Sequence, residues 1–264
     1  MRYTAVMVST LFLGATGATP ATPSFIFDAV GDQAAYPVVS RYFQAADFAN
    51  VRLAQVDPRL HQILDRTHQV ILADSDGKLQ KALELGCSPG SPGTILYQSQ
   101  WNADDPLGSL REITTAVSRI RSDGCHQSAI LPSEQFWGST GNCRFNLAGS
   151  PYQQIDWTTI DRLDIQSEWI LAESCAGQST VDDYVRLIST VSSYIRAKNP
   201  RIAIYAQLSF RFTAPATMIE AIRTMSPLVD GFLLSYPLNQ ELEHKYCTAA
   251  NLETVLSAFR PPPQ

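Results

Sequence analysis

Amide, carboxylate and aromatic side chains occur where several apolar runs of the sequence end. They are Gln98, Gln100, Trp101, Asp164, Gln166, Glu168, Gln207 and Tyr236. With the two-residue period of a strand, Gln98 and Gln100 share one face, as do the three residues from Asp164 to Glu168. Amides donate and accept hydrogen bonds, and an indole face covers C–H-rich surface, so the set predicts a carbohydrate site. The alternative is that these polar residues only meet solvent at strand ends.

Two acids among these segments are suited to catalysis. Glu168 ends the sixth predicted strand, and Glu134 lies just beyond the fifth. A glycosidase needs a carboxylic acid that protonates the leaving oxygen and a carboxylate or substrate group opposite it. The neighbouring Trp169 favours a raised pKa for Glu168, whereas a structural ion pair for Glu168 and a solvated loop position for Glu134 are the alternatives. Asp28 and Asp74, at the ends of the first and third strands, are weaker candidates.

A long segment follows the fifth predicted strand and is expected to border the same cleft. Residues 134–154 are rich in Gly, Ser and Asn and include Trp137, Phe145 and Tyr152. Long loops after barrel strands commonly shape a substrate cleft, so we predict that Trp137 contacts substrate. The alternative is an ordered surface loop held by Cys143.

The elements that position these residues alternate along the chain. Eight apolar or β-branched runs predict strands at Phe25–Val30, Val51–Val56, Gln69–Asp74, Thr94–Trp101, Gln127–Ser133, Arg162–Glu168, Arg201–Phe210 and Asp230–Tyr236. Stretches with helical spacing lie between most of them, which predicts an α/β protein with parallel βαβ units. Eight units favour a single (β/α)8 TIM barrel, whose active sites form at the carboxyl ends of its strands. The competing fold is an open doubly wound sheet, which usually has a glycine-rich first turn, and no G-x-G-x-x-G or P-loop sequence occurs here.

Three helices are well marked in the sequence, and a fourth is proposed after the last strand. Asp105-Pro106 supplies an N-cap acceptor and a proline at the first helical position. Thr180 and Asp183 fit a capping box that begins another helix. An apolar stripe predicts a third helix over residues 213–226. A helix over about 248–259 is proposed because it would close the ring.

The sixth predicted strand carries a pattern found in a known enzyme family. The segment Asp161-Arg-Leu-Asp164-Ile-Gln166-Ser-Glu168-Trp169 resembles the D-x-x-D-x-D-x-E strand motif of chitinase-like glycoside hydrolases, with Gln166 in place of the third aspartate. The resemblance implies a secreted barrel enzyme with a carbohydrate substrate and Glu168 as proton donor. The segment Val229–Tyr236 resembles a later strand of that family, which implies that Asp164 and Tyr236 orient the reacting group.

Three differences separate this sequence from the barrel glycosidases. The third aspartate of the chitinase-like motif positions the acetamido group of the substrate, and Gln166 cannot ionise in its place. The family carries its motif on the fourth strand rather than the sixth. The two-glutamate pattern of the other large group of barrel glycosidases is absent, since Gln100 and Ser209 end the fourth and seventh strands. The prediction is a glycoside hydrolase, and a catalytically inactive barrel that binds carbohydrate is the main alternative, with a lyase or isomerase as a third possibility.

The composition is that of a globular domain. The 264 residues are 45% hydrophobic and 17% charged, with a net charge of -5. The absence of any basic run argues against a nucleic-acid-binding surface. No cofactor motif occurs, and the cysteines and histidines lack metal-ligand spacing. We expect no cofactor, no metal, no nucleic-acid or membrane partner, and a monomer.

The N-terminus predicts export. Arg2 precedes a short apolar run over residues 5–14, which is followed by small residues up to Ala18, and the run is too short to span a bilayer. We predict a signal peptide over 1–18, a linker over 19–24 and a barrel domain over 25–264, hence a secreted or periplasmic protein. A buried N-terminal strand is the alternative. Two disulfides are natural in an oxidising compartment, and we predict Cys125–Cys143 and Cys175–Cys247, although spacing does not determine pairing.

Overall fold

The computed structural model describes residues 22–28, 34–52, 68–87, 93–125, 127–139, 143–172, 175, 177, 180–236 and 246–261. The predicted signal peptide and residues 19–21 of the linker lie outside these ranges, as do the predicted ends of the first two strands, 29–30 and 53–56. None of the described helices is both long enough and apolar enough to cross a membrane.

Eight parallel strands close into a barrel in chain order, which confirms the predicted fold. They are β1 (Ser24–Asp28), β2 (Phe48–Arg52), β3 (Gln69–Ala73), β4 (Thr94–Ser99), β5 (Gln127–Pro132), β6 (Arg162–Ile165), β7 (Ala203–Ser209) and β8 (Gly231–Ser235). Because β1 pairs with both β2 and β8, the sheet has no open edge, which excludes the doubly wound alternative. The second strand begins earlier than predicted, because the buried polar side chain of Asn50 interrupts its apolar pattern.

Six α-helices lie outside the barrel in the described part of the chain. They are α1 (Tyr36–Tyr42), α2 (Asp76–Gly86), α3 (Pro106–Ser122), α4 (Val181–Lys198), α5 (Pro215–Met225) and α6 (Ala249–Ser257). Asp105 caps α3 by accepting a hydrogen bond from the Gly108 N–H at 2.8 Å, and Thr180 and Asp183 form the predicted capping box of α4. Since each helix follows a strand, its N-terminus lies near the carboxyl end of the barrel.

The connection from β5 to β6 contains no α-helix in its described residues, 133–139 and 143–161. It forms three short 3-10 helices, Glu134–Trp137, Pro151–Gln154 and Trp157–Thr159. The ring of Trp137 lies 5.8 Å from that of Tyr152 and 6.5 Å from that of Trp157, and all three are buried. Gly138 has φ of 74°, and a Cβ there would lie 2.0 Å from the carbonyl oxygen of Asn146. An aromatic cluster therefore covers this side of the barrel in place of a helix.

The orientation of the strand side chains follows from the hydrophobic clusters. One cluster is formed by strands alone, and it fills the barrel interior with Ile26, Val70, Leu96, Ala129, Leu131, Tyr205 and Leu233. Strand residues of the other parity, such as Phe27 and Ile95, belong to clusters that include helix side chains. The two-residue period therefore places Asp28, Gln98 and Gln207 on the inward face at the carboxyl mouth.

A buried ion pair between Arg260 and Asp47 joins the two ends of the barrel domain. The Asp47 carboxylate accepts hydrogen bonds from the Arg260 guanidinium and from the backbone N–H groups of Phe25 and Gln44. The same guanidinium donates to the backbone oxygen of Pro23 at 3.0 Å. The segment before β1 is thereby fastened to the segment after α6.

Two disulfides are present, and their pairing differs from the prediction. Cys87 pairs with Cys125 and Cys143 pairs with Cys175, so neither predicted pair, Cys125–Cys143 or Cys175–Cys247, forms. Cys87 and Cys125 follow α2 and α3 at the amino end of the barrel, close to the paired first residues of β4 and β5. Cys143 lies in the loop after β5, at the opposite end from Cys125. The predicted pairing was wrong because spacing along the chain does not reveal which end of the barrel a cysteine occupies.

Candidate functional site

Three strands bring amide side chains to the carboxyl mouth of the barrel. Gln98 ends the inward face of β4, Gln207 lies on that of β7, and Gln166 directly follows β6. The β6–β7 register aligns Ile165 with Ala206, so Gln166 and Gln207 are adjacent on the inward face. Gln207 is 6% exposed, while Gln98 and Gln166 are partly exposed. The barrel thus collects these three predicted site residues at the border between its core and solvent.

Glu168 follows Gln166 by two residues and begins the 3-10 helix Glu168–Leu171. Its Oε1 accepts a hydrogen bond from Gln166 Nε2 at 3.5 Å, and its Oε2 is shielded from solvent with no hydrogen-bond partner among the described residues. Burial raises the Glu168 pKa from 4.5 to about 7, and the charges of Glu134 and Asp28 add to the increase. The carboxyl is therefore close to half-protonated at neutral pH, which suits a proton donor.

The turn that carries Glu168 is fixed by buried hydroxyl groups. The Oγ of Ser167 lies 3.1 Å from the backbone oxygen of Ile165 and 3.2 Å from that of Gln207. The Tyr184 hydroxyl of α4 donates to the same Gln207 oxygen at 3.2 Å. Because Ser167 bridges β6 and β7 at this level, the positions of Glu168 and Gln207 are linked through the backbone.

A second acid and an aromatic ring border the site on the β4–β5 side. Glu134 begins the 3-10 helix after β5, is partly exposed, and has a pKa that burial raises above its ordinary value. The partly exposed Trp101 follows β4, and its ring packs edge-on against Phe136 with centroids 5.1 Å apart. Gln100, beside Trp101, is exposed. Carboxyl, indole and amide groups are therefore all available on this side of the mouth.

Asp164 lies inside the barrel in an ion pair that the sequence analysis did not anticipate. Its two oxygens accept hydrogen bonds from Arg162 Nε at 2.9 Å and Nη2 at 2.8 Å, and neither side chain is more than 1% exposed. The guanidinium also lies 4.7 Å from the ring centroid of Tyr205. Arg162 and Asp164 carry opposite charges and are two residues apart on a strand, so they share one face. This spacing was the sequence signal for the ion pair. Both carboxylate oxygens of Asp164 are thus engaged by arginine below the mouth.

Two of the predicted aromatic contacts are buried. Trp137 is 0% exposed within the aromatic cluster of the β5–β6 connection, so it lies in the core rather than on the cleft wall. Tyr236 follows β8, is 2% exposed, and has its ring centroid 5.8 Å from that of Phe210. Trp169 keeps exposed surface, although its Nε1 is shielded and lacks a hydrogen-bond partner within the described ranges.

A separate polar cavity of about 410 Å³ lies at the amino end of the barrel. It is lined by Arg121, Gln127, Thr158, Asp161, Asn199, Arg201 and Ala203. Gln127 and Ala203 begin their strands, so the length of the barrel separates this cavity from Glu168. Asp161, the first residue of the motif-like segment, is at this end and accepts hydrogen bonds from the backbone N–H and hydroxyl of Ser128. Active sites on this fold form at the carboxyl end, so we place the candidate site at Glu168.

The donor set of the site does not resemble a metal centre. Among the residues that the structure describes, no three His, Cys, Asp or Glu side chains converge in a way that could hold a metal ion. The site instead offers amide and carboxyl groups, which suit hydrogen bonding and proton transfer to an organic ligand.

The closed barrel shares its fold with a solved enzyme structure. One similar solved structure is a fungal endo-beta-N-acetylglucosaminidase from glycosyl hydrolase family 18, with a TM-score of 0.51 and 12% sequence identity over 90% of this chain and 98% of that chain. No family model and no curated protein matches the sequence. At this identity the likeness concerns the fold, so the chemistry must be argued from the residues of this chain.

Proposed function

We propose that this protein is a glycoside hydrolase that acts on a poly- or oligosaccharide, with Glu168 as the general acid. The observation that carries the proposal is a Glu168 pKa of about 7 at a barrel mouth lined with amides. A general acid is most effective when its pKa is near the working pH, because it is then protonated yet still releases its proton readily. The likeness in fold to a glycoside hydrolase supports the carbohydrate substrate class.

In the proposed reaction, Glu168 donates its proton to the glycosidic oxygen as the bond to the anomeric carbon breaks. The hydrogen bond from Gln166 orients the carboxyl. Glu134 is the proposed second group, acting as a nucleophile or as the base that activates water, unless a group of the substrate takes that part. A carboxyl separation of about 5 Å corresponds to retention of configuration and one of about 6.5–9.5 Å to inversion. The Arg162–Asp164 pair is neutral overall and supports the mouth from below.

The sugar contacts are proposed from the same surface. Gln98, Gln100, Gln166 and Gln207 are expected to bind hydroxyl groups, because each amide offers both donors and an acceptor. Trp101 would cover an apolar sugar face. Tyr236, also predicted to contact substrate, is left out because both its ring and its hydroxyl are buried. Trp137 is left out because it has no exposed surface.

Replacement of Glu168 by glutamine tests the catalytic assignment. The variant keeps the shape of the side chain but cannot donate a proton at neutral pH, so kcat for release of reducing ends should fall by about 10²- to 10⁴-fold. The matched control is Glu220→Gln on the exposed side of α5, which should keep wild-type activity. Undiminished cleavage by the Glu168 variant would show that another group donates the proton.

A carbohydrate-binding barrel without catalysis is the second candidate. It is favoured by Gln166, an amide at the position where the resembled motif has its third aspartate, and by the amides at neighbouring strand ends. One comparison distinguishes the two functions. If wild-type protein binds oligosaccharides but releases no reducing ends from a panel of neutral and amino-sugar polymers, the carbohydrate-binding function without catalysis is supported.

We also propose that the protein is exported after removal of residues 1–18 and acts as a monomer. The two disulfides support an oxidising compartment. N-terminal sequencing of protein recovered from the culture medium tests the cleavage site, and retention of residues 1–18 in the recovered chain would contradict it. Light scattering tests the monomer.

A further inference from the structure

We propose that the cleft selects a sugar with a free amine, held as an ammonium ion beside the Glu134 carboxylate and against the amide oxygens of Gln166 and Gln207. The ligand class is an amino-sugar oligomer with unacetylated nitrogen, as distinct from N-acetylated or acidic oligomers. This inference rests on the proposed function, because it names the substrate class of the same cleft.

The first support is an excess of unsatisfied hydrogen-bond acceptors. Gln207 is 6% exposed, and its Oε1 is shielded without a hydrogen-bond partner among the described residues. The same holds for Gln166 Oε1 and Glu168 Oε2, whereas Trp169 Nε1 is a shielded donor at this mouth. Shielded polar atoms without partners destabilise a protein, so a ligand that supplies donors is expected to bind there. An ammonium group offers three donors and no acceptor, so it suits a mouth with several free acceptors better than a hydroxyl does.

Two of these acceptors belong to amides on adjacent strands. Gln166 Nε2 is directed to Glu168 Oε1, which leaves Gln166 Oε1 as the free end of the amide. The β6–β7 register puts Gln207 next to Gln166 on the inward face. Amide acceptors on two adjacent strands, next to the turn that carries Glu168, are therefore available to a donor group of a ligand.

The second support is the charge around these acceptors. Glu134 and Glu168 interact through space, and Asp28 contributes further negative charge at the same mouth. A cation that pairs with the Glu134 carboxylate neutralises one of the negative charges at this mouth, and Glu168 stays available as the proposed proton donor. Because no three described acidic or histidine side chains are arranged as metal ligands, an organic cation fits the site better than a metal ion.

A cationic side chain on the same face, that of Arg211, would favour an acidic ligand instead. Arg211 follows β7, is exposed, and has its guanidinium 4.8 Å from the ring centroid of Phe212. A substrate with carboxylate groups would be drawn to Arg211 and repelled by Glu134 and Glu168. An acidic oligomer is therefore a necessary arm of the test.

Calorimetric titration of the full protein with three tetramers of equal length tests the inference. The probes are glucosamine, N-acetylglucosamine and galacturonic acid tetramers near neutral pH. The glucosamine tetramer should bind about tenfold more tightly than the N-acetylated one, the factor expected for one charge-assisted hydrogen bond. This preference should shrink with added salt.

A variant that removes only the Glu134 charge tests whether that charge causes the preference. Glu134→Gln should bring the two affinities close to each other by weakening the glucosamine tetramer, while Glu220→Gln should leave the tenfold ratio intact. Equal or tighter binding of the N-acetylated or the acidic tetramer by wild-type protein would overturn the amine inference alone, and the carbohydrate site would stand. Failure of all three tetramers, together with absence of cleavage across the polysaccharide panel, would overturn the proposed function as well.

Discussion

Replacing Glu168 with glutamine is expected to change how the stability of the protein depends on pH. The Glu168 pKa is about 7 in the folded protein and close to 4.5 in the unfolded chain. Because the folded-state pKa is raised, the stabilising contribution is fully present below the unfolded value and is lost as the pH rises through the folded value. Glutamine does not titrate, so the variant lacks this loss.

The magnitude follows from these two pKa values. The increase from 4.5 to about 7 reflects burial and the nearby charges of Glu134 and Asp28. At about 1.36 kcal/mol for each pH unit, such an increase corresponds to about 3 kcal/mol. The free energy of unfolding of wild-type protein should therefore fall by about 3 kcal/mol relative to the variant as Glu168 ionises.

Urea unfolding followed by tryptophan fluorescence measures this difference. Wild type, Glu168→Gln and the exposed-acid control Glu220→Gln are compared at intervals from about pH 4 to pH 8, the range that spans both ionisations. The difference between wild type and Glu168→Gln should change mainly between about pH 5 and pH 7. The control difference should stay flat, and Glu134→Gln should show a smaller change of the same sign, because burial also raises its pKa.

A flat difference between wild type and Glu168→Gln across this range would refute the reasoning. It would mean that the Glu168 carboxyl is solvated in the folded protein and titrates as it does in the unfolded chain. The general-acid assignment would then lose its main support, because an acid with an ordinary pKa is ionised at neutral pH.

Further predictions concern the ion pairs and disulfides that hold the barrel domain together. Arg260→Met should lower the free energy of unfolding by about 3–5 kcal/mol, because it leaves a buried carboxylate unpaired, whereas Arg41→Met at an exposed pair should cost less than about 1 kcal/mol. Urea unfolding checks both, and equal costs would contradict the buried-pair argument. Serine replacement of either disulfide should cost about 4 kcal/mol, given separations of 38 residues for Cys87–Cys125 and 32 for Cys143–Cys175. The Cys143–Cys175 disulfide ties together the loops after β5 and β6, so its loss should also shift the titration of Glu168. An equal shift on loss of the Cys87–Cys125 disulfide would contradict this.

The fold was predictable because its signals are local. Each strand is a short apolar run, and caps such as Asp105 and Thr180 depend on residues within one turn of the helix. The rule that strand ends converge in a barrel then placed Glu168 and Gln207 at the same mouth. Local pattern and fold geometry were therefore sufficient for the general position of these two side chains.

The remaining features depend on contacts between distant parts of the chain. Trp137 resembles a loop aromatic in sequence, but packing with Tyr152 and Trp157 puts it in the core. Asp164 resembles a cleft acid until Arg162 is seen to share its inward face. Burial and ion pairing of this kind follow from the closed barrel, and the periodicity of a single strand does not reveal them.

The Arg260–Asp47 pair also determines where attached segments leave the domain. Arg260 holds the Pro23 backbone oxygen just before β1, at the amino end of the barrel, while Glu168 lies at the carboxyl end. Both termini of the barrel domain are therefore anchored on the side away from the cleft. A tether to a solid support or a fused carrier domain at either terminus would leave the mouth turned outward, so a long polymer could reach the site without passing the point of attachment.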